Sequence, residues 1–104
     1  MVYILLAKAG ATGGNPKYPA GSIHGIMIYS LVAEGAEPDY DAIRSAMADE
    51  HWEDARFVKQ GKVDDANFAN HAKDDANRLA YYAAKRDGLA FVVYDVADAP
   101  KPAS

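Results

Sequence analysis

A chain of 104 residues with a net charge of −4 and no cysteine fits one domain; it excludes a disulfide framework, a thiolate metal site and a cysteine nucleophile. Half of the residues are hydrophobic and a quarter are charged, the balance of a globular chain and not of a disordered one. The acidic excess speaks against direct nucleic-acid binding, because no surplus of bases is available to displace counterions from phosphates.

Val2 to Ala9 is apolar on both alternating faces, with Val2, Ile4 and Leu6 on one and Tyr3, Leu5 and Ala7 on the other. Such a run reads as a strand covered on both sides. It lacks the basic start and the long apolar core of an export signal, and Lys8 interrupts it. No stretch approaches the ~20 apolar residues of a membrane span. A cytoplasmic location and no membrane partner are therefore expected.

Gly10 to Gly21 is dense in glycine and proline and reads as a loop. Ser22 to Ala33 forms a second two-faced strand: Ile23, Met27, Tyr29 and Leu31 share one side, Ile26, Ile28 and Val32 the other. With no helix between them, the first two strands should pair antiparallel. Asp39 or Asp41 can cap a helix from Tyr40 to about Trp52, where Ala42, Ile43, Ala46 and Met47 recur at helical spacing. Arg56 to Val63 is either a short edge strand or irregular.

Asp64 to Asp87 reads as one long helix capped by Asp64 or Asp65, with Phe68, Ala72, Ala76, Leu79 and Ala83 as its inner stripe. Gly88 follows the base-rich turn of Lys85 and Arg86, where a left-handed residue ends a helix. Leu89 to Val96 is the last strand. Residues 97–104, with Pro100 and Pro102, read as a flexible tail to a single domain spanning 1–96.

The predicted fold is α+β: a three- or four-stranded, mainly antiparallel sheet with two helices in the order β-β-α-(β)-α-β, a two-layer sandwich of ferredoxin-like size. With the helices on opposite faces, no partner would be needed; with both on one face, the other face would be a bare apolar patch. A homodimer through that sheet face is expected on this ground.

The charge is unevenly placed. Glu34, Glu37, Asp49, Glu50, Glu53 and Asp54 fall in a stretch whose only base is Arg44, and an acidic surface for a basic protein partner is expected there. Three further groups suggest chemistry. Gly10-Ala11-Thr12-Gly13-Gly14 follows a strand as a phosphate-binding turn would, but Pro16 and Pro19 prevent the helix that turn needs. Asp49 to Asp54 mixes carboxylates with His51, yet consecutive helical residues fan apart. His71 with Asp74 and Asp75 has the spacing of a histidine–carboxylate pair, for which a surface ion pair is the plainer reading. No metal site and no cofactor are predicted.

His24, in the second strand, is the first place to look for a ligand pocket, together with Tyr29, Tyr94, Lys17 and Tyr18. The leading expectation is a non-enzymatic, small acidic interaction or regulatory protein, comparable in class to accessory or inhibitor proteins of mobile elements. The alternative is a ligand-binding protein or enzyme of the ferredoxin-like dimeric type, with a pocket between sheet and helices.

Overall fold

The apolar alternation at the N-terminus becomes β1 (Val2–Ala11), which pairs antiparallel along its length with β2 (Ile23–Leu31). A computed structural model describes residues 1–94. After β2 come α1 (Tyr40–Asp49), β3 (Trp52–Val63), a one-turn helix α2 (Asp65–Phe68), α3 (Ala76–Asp87) and β4 (Leu89–Val93). The strands form one antiparallel sheet in the order β3-β1-β2-β4. The α+β class, the antiparallel hairpin and the order of elements agree with the sequence reading. Val96 and the tail at 97–104 lie outside the described residues.

Three elements differ from expectation. The first helix ends at Asp49, not Trp52, because His51 takes a left-handed backbone (φ 67°) and turns the chain straight into β3. The ambiguous stretch is then the end of a twelve-residue edge strand. Its register slips against β1 between Leu6 and Ala7 and again between Lys8 and Gly10, and Asp54 sits at the second slip with φ 55°. These are β-bulges, which twist an edge and blunt its pairing with other chains.

The third difference is the long helix, which is broken between Phe68 and Ala76. Asp64 and Asn67 close a reciprocal capping box on α2, and Asp75 accepts hydrogen bonds from the backbone of Asn77 (2.9 Å) and Arg78 (3.1 Å) to start α3. Arg78 spans the break by donating to the carbonyls of Phe68 and His71. The buried residues of α3 are Ala80, Tyr81 and Ala84, and Leu79 of the expected stripe is 55% exposed. Gly88 ends the helix left-handed (φ 99°), as its position predicts.

The helices do not share a face: of the two arrangements left open, the leading one, with both on one side, gives way to the one in which they straddle the sheet. Ile43 and Met47 of α1 pack with Leu5, Ala7, Ile26 and Ile28 on one side of the sheet. Phe68, Ala80, Tyr81 and Ala84 of α2 and α3 pack with Val2 and Tyr29 on the other. Both faces of β1 and β2 are apolar, so each needs a cover, and the two connections supply one apiece. The bare face from which a second copy was expected is therefore not present as such: neither face lacks a helix.

Candidate functional site

On the face that carries α1, one end of the sheet is closed by aromatic rings and not by the helix. Trp52 begins β3 beside Ala11 and is 6% exposed. Tyr18 comes from the β1–β2 loop and His24 from β2. The Tyr18 ring lies 4.1 Å from His24 and 5.7 Å from Trp52, and the His24 ring stands edge-on to Trp52 at 5.6 Å. Rings at these separations and tilts gain more than their buried area alone.

The loop over this cluster is tied down by one carbonyl. His51 O accepts from the Thr12 backbone N–H (3.0 Å), the Thr12 hydroxyl (3.3 Å) and the Asn15 side-chain amide (3.2 Å). Asn15 Oδ1 in turn accepts from the backbone of Lys17 and Tyr18, both at 3.0 Å. That turn aims Tyr18 inward. The Ala11 and Thr12 amides of the glycine-rich turn already donate to the Ser22 and His51 carbonyls, and the loop leads into β2 and not into the helix a phosphate-binding turn needs.

His24 is 2% exposed. Its Nδ1–H donates to the Tyr94 carbonyl (2.7 Å), and Nε2 lies 3.0 Å from Ser22 Oγ. Both nitrogens are engaged and the ring packs against Tyr18, so His24 helps hold this end of the sheet together. Of the other residues of the expected pocket, only Tyr18 packs its ring on His24, and the side chains are split between the two faces. Lys17 and Tyr18 are on its side of the sheet. Tyr29 is on the opposite face, where its hydroxyl donates to Asn77 (2.8 Å) and burial, followed by the charges of Tyr94 and Asp75, pushes its pKa up to about 12. Tyr94 packs against Gly25 and is on Tyr29's side by strand alternation.

The acids are likewise divided. Glu34 and Glu37 are exposed near the start of α1, and Asp49 and Glu50 are exposed at its end, about 15 Å along the helix by its rise per residue. Glu53 pairs with Gly10 and lies on the face of α2 and α3, while Asp54 occupies the bulge. His71, Asp74 and Asp75 are outside any helix: His71 packs on Phe68 (5.1 Å) and Asp75 serves as a cap. Among the described residues, no group of three His, Asp or Glu side chains could hold a metal ion.

What the fold does assemble is a cleft of about 710 Å³ between the end of α1, the Asn15–Tyr18 turn and β4. It is lined by Trp52, Leu89, Phe91 and Val93, by the acids Asp49 and Glu50, and by Lys17 and His51. The sequence pointed to the acids but not to this apolar lining. Trp52, the only tryptophan, in the middle of the acidic run, was the available signal. Comparison with protein-family models, with curated proteins and with solved structures found no match to this chain. No helix of the described residues is long and apolar enough to cross a membrane.

Proposed function

We propose that the protein is a small interaction module that receives a basic segment of a partner protein in this cleft. One observation carries the reading. Asp49 and Glu50 sit on the C-terminal end of α1 with no base in its last turn, where the helix dipole already concentrates negative charge. A fold selected for stability alone would place lysine or arginine there, as α3 does with Lys85 and Arg86. The acids add to the dipole in a cleft that they share with Trp52, Leu89, Phe91 and Val93, an arrangement that suits a cation carried beside a hydrophobic anchor. The six acids expected to form one surface reduce to these two for the cleft.

The reading needs neither a second copy nor a catalytic group. No observation favours the alternative enzyme, whose histidine is closed off. The test is fluorescence anisotropy with a labelled peptide of alternating arginine and leucine. Saturable binding that is lost in Asp49→Asn/Glu50→Gln and kept in Glu34→Gln/Glu37→Gln supports the cleft. Equal loss in both variants would show only a general attraction to negative charge, and would sink the reading.

A further inference from the structure

Helix α3 turns its buried residues, Ala80, Tyr81 and Ala84, toward the sheet. The opposite side of the helix carries Leu79 and Tyr82, which are 55% and 39% exposed. The same line continues in both directions. Asp75, the N-cap, precedes Leu79 by four residues, and Arg86, in the last turn, follows Tyr82 by four. Steps of four, three and four residues keep side chains on one stripe of a helix. An acid, two apolar residues and a base therefore lie in line on the side of α3 away from the sheet.

The middle of the stripe is braced. Arg78 and Lys85 lie over the Tyr82 ring at 5.6 Å and 5.7 Å, and the ring meets Tyr81 edge-on at 5.0 Å. A side chain already held in place loses little freedom when it enters a contact. The two ends keep capacity for a further ion pair. Asp75 accepts both of its cap bonds through Oδ1, and the pair of Arg86 with Asp87 joins two exposed side chains through Nε and Nη2.

The order acid, apolar, apolar, base is its own complement when reversed. Two α3 helices related by a two-fold axis run antiparallel. In a single register Asp75 of each then meets the partner's Arg86, and Leu79 of each meets the partner's Tyr82. A parallel copy would set Asp75 against Asp75 and Arg86 against Arg86. We propose that the outer stripe of α3 is a self-association surface, through which two copies of this chain dimerise as an antiparallel helix pair. The acidic cleft lies on the α1 side of the sheet, so the dimer leaves both clefts turned outward. A helix of twelve residues is about 18 Å long, a contact smaller than a standard interface. The dimer is therefore reversible, and its exposed ion pairs make it salt-sensitive.

The experiment is sedimentation velocity on the full chain, from dilute to near-millimolar concentration, at low and at high salt. The expected result is a reversible rise to dimer mass, weakened about tenfold in Leu79→Gln and again in Arg86→Glu, and weakened by salt. Arg86→Glu sets an acid against the partner's Asp75 without touching the apolar pair, so the two variants test the two halves of the stripe separately. Circular dichroism checks that both variants, altered only at exposed positions, stay folded. A monomer at every concentration overturns the proposal, as does a dimer that neither substitution weakens. A dimer dissolved by Leu31→Gln and not by Leu79→Gln also overturns it, because the contact would then lie at the end of the sheet.

Discussion

The two faces of the sheet are closed by different means, and the difference shows where this fold is rigid and where it is available. The face under α1 is sealed along β1 and β2: Leu5, Ala7, Ala9, Ala11, Ile26 and Ile28 are all buried. Helix α1 supplies part of the cover, and the Tyr18–His24–Trp52 cluster supplies the rest. On the opposite face α2 and α3 pack with Val2 and Tyr29, with Ile4, Met27, Val63, Ala90 and Val92 against that cluster. There the contacts are polar as well as apolar. Tyr81, stacked on Phe68 at 4.7 Å, donates to Asp65, which also accepts Lys85. One face is held by rings from three separate segments, the other by two helices that are each capped locally and braced to each other through Asp65 and Arg78.

The strongest way to break the first arrangement is Trp52→Ala. Removing a buried aromatic should cost about 3–5 kcal/mol, read as a lowered urea midpoint. Because the loop closes over the same ring, amide exchange at Asn15 to Tyr18 should accelerate together with global unfolding. His24→Ala should cost about 2 kcal/mol through lost packing and the Tyr94 carbonyl losing its donor, and a loss much below 1 kcal/mol would count against the structural role given to this histidine.

The second face is tested by alkali. Tyr29 titrates at about 12 when folded and near 10 when unfolded, and Tyr81 is also raised, by burial first and then by its bond to Asp65. A raised folded value means that the folded state holds the proton longer. Their contribution is therefore complete below pH 10 and declines as pH rises through the folded values. Urea midpoints measured across that range should fall, and the fall should be shallower in Tyr29→Phe. Identical profiles would show that Tyr29 ionises as freely in the fold as in the unfolded chain.

A smaller effect is expected from Asp75→Ala, about 1 kcal/mol for loss of an N-cap, with exchange accelerated in α3 and not in α1. The smallest is a gain. Asp49→Asn/Glu50→Gln should raise stability by a few tenths of a kcal/mol, since it relieves repulsion at the helix terminus. A loss of stability would mean that these acids are structural, and would remove the ground on which the cleft was read as a binding site.

Much of this was legible before folding. The two-faced strands, the hairpin, a cap at Asp39 or Asp41 (Asp39 in the fold) and the stop at Gly88 all follow from local patterns of one or two turns. The break between Phe68 and Ala76 was written in the sequence as well, since Asp75 precedes Ala76 as a cap should. It was hidden by Phe68, Ala72, Ala76, Leu79 and Ala83, which keep helical spacing straight across the break but do not form the buried stripe. The site was legible in its charges alone. Asp49 and Glu50 could be marked as acids, yet nothing local says that Leu89, Phe91 and Val93 share a cleft with them.

The sequence by itself determined the class of the fold, the pairing of the first two strands and the uneven charge, because periodicity, capping and composition act within a few residues. Tertiary structure decided which face each helix covers, that His24 is enclosed, and that Glu53 parts from Asp49 and Glu50 across the sheet. Those outcomes depend on contacts between segments far apart in the chain, such as the His51 carbonyl with Thr12 and Asn15. A left-handed histidine held by a distant loop turns a helix into a strand, and no local pattern encodes that turn.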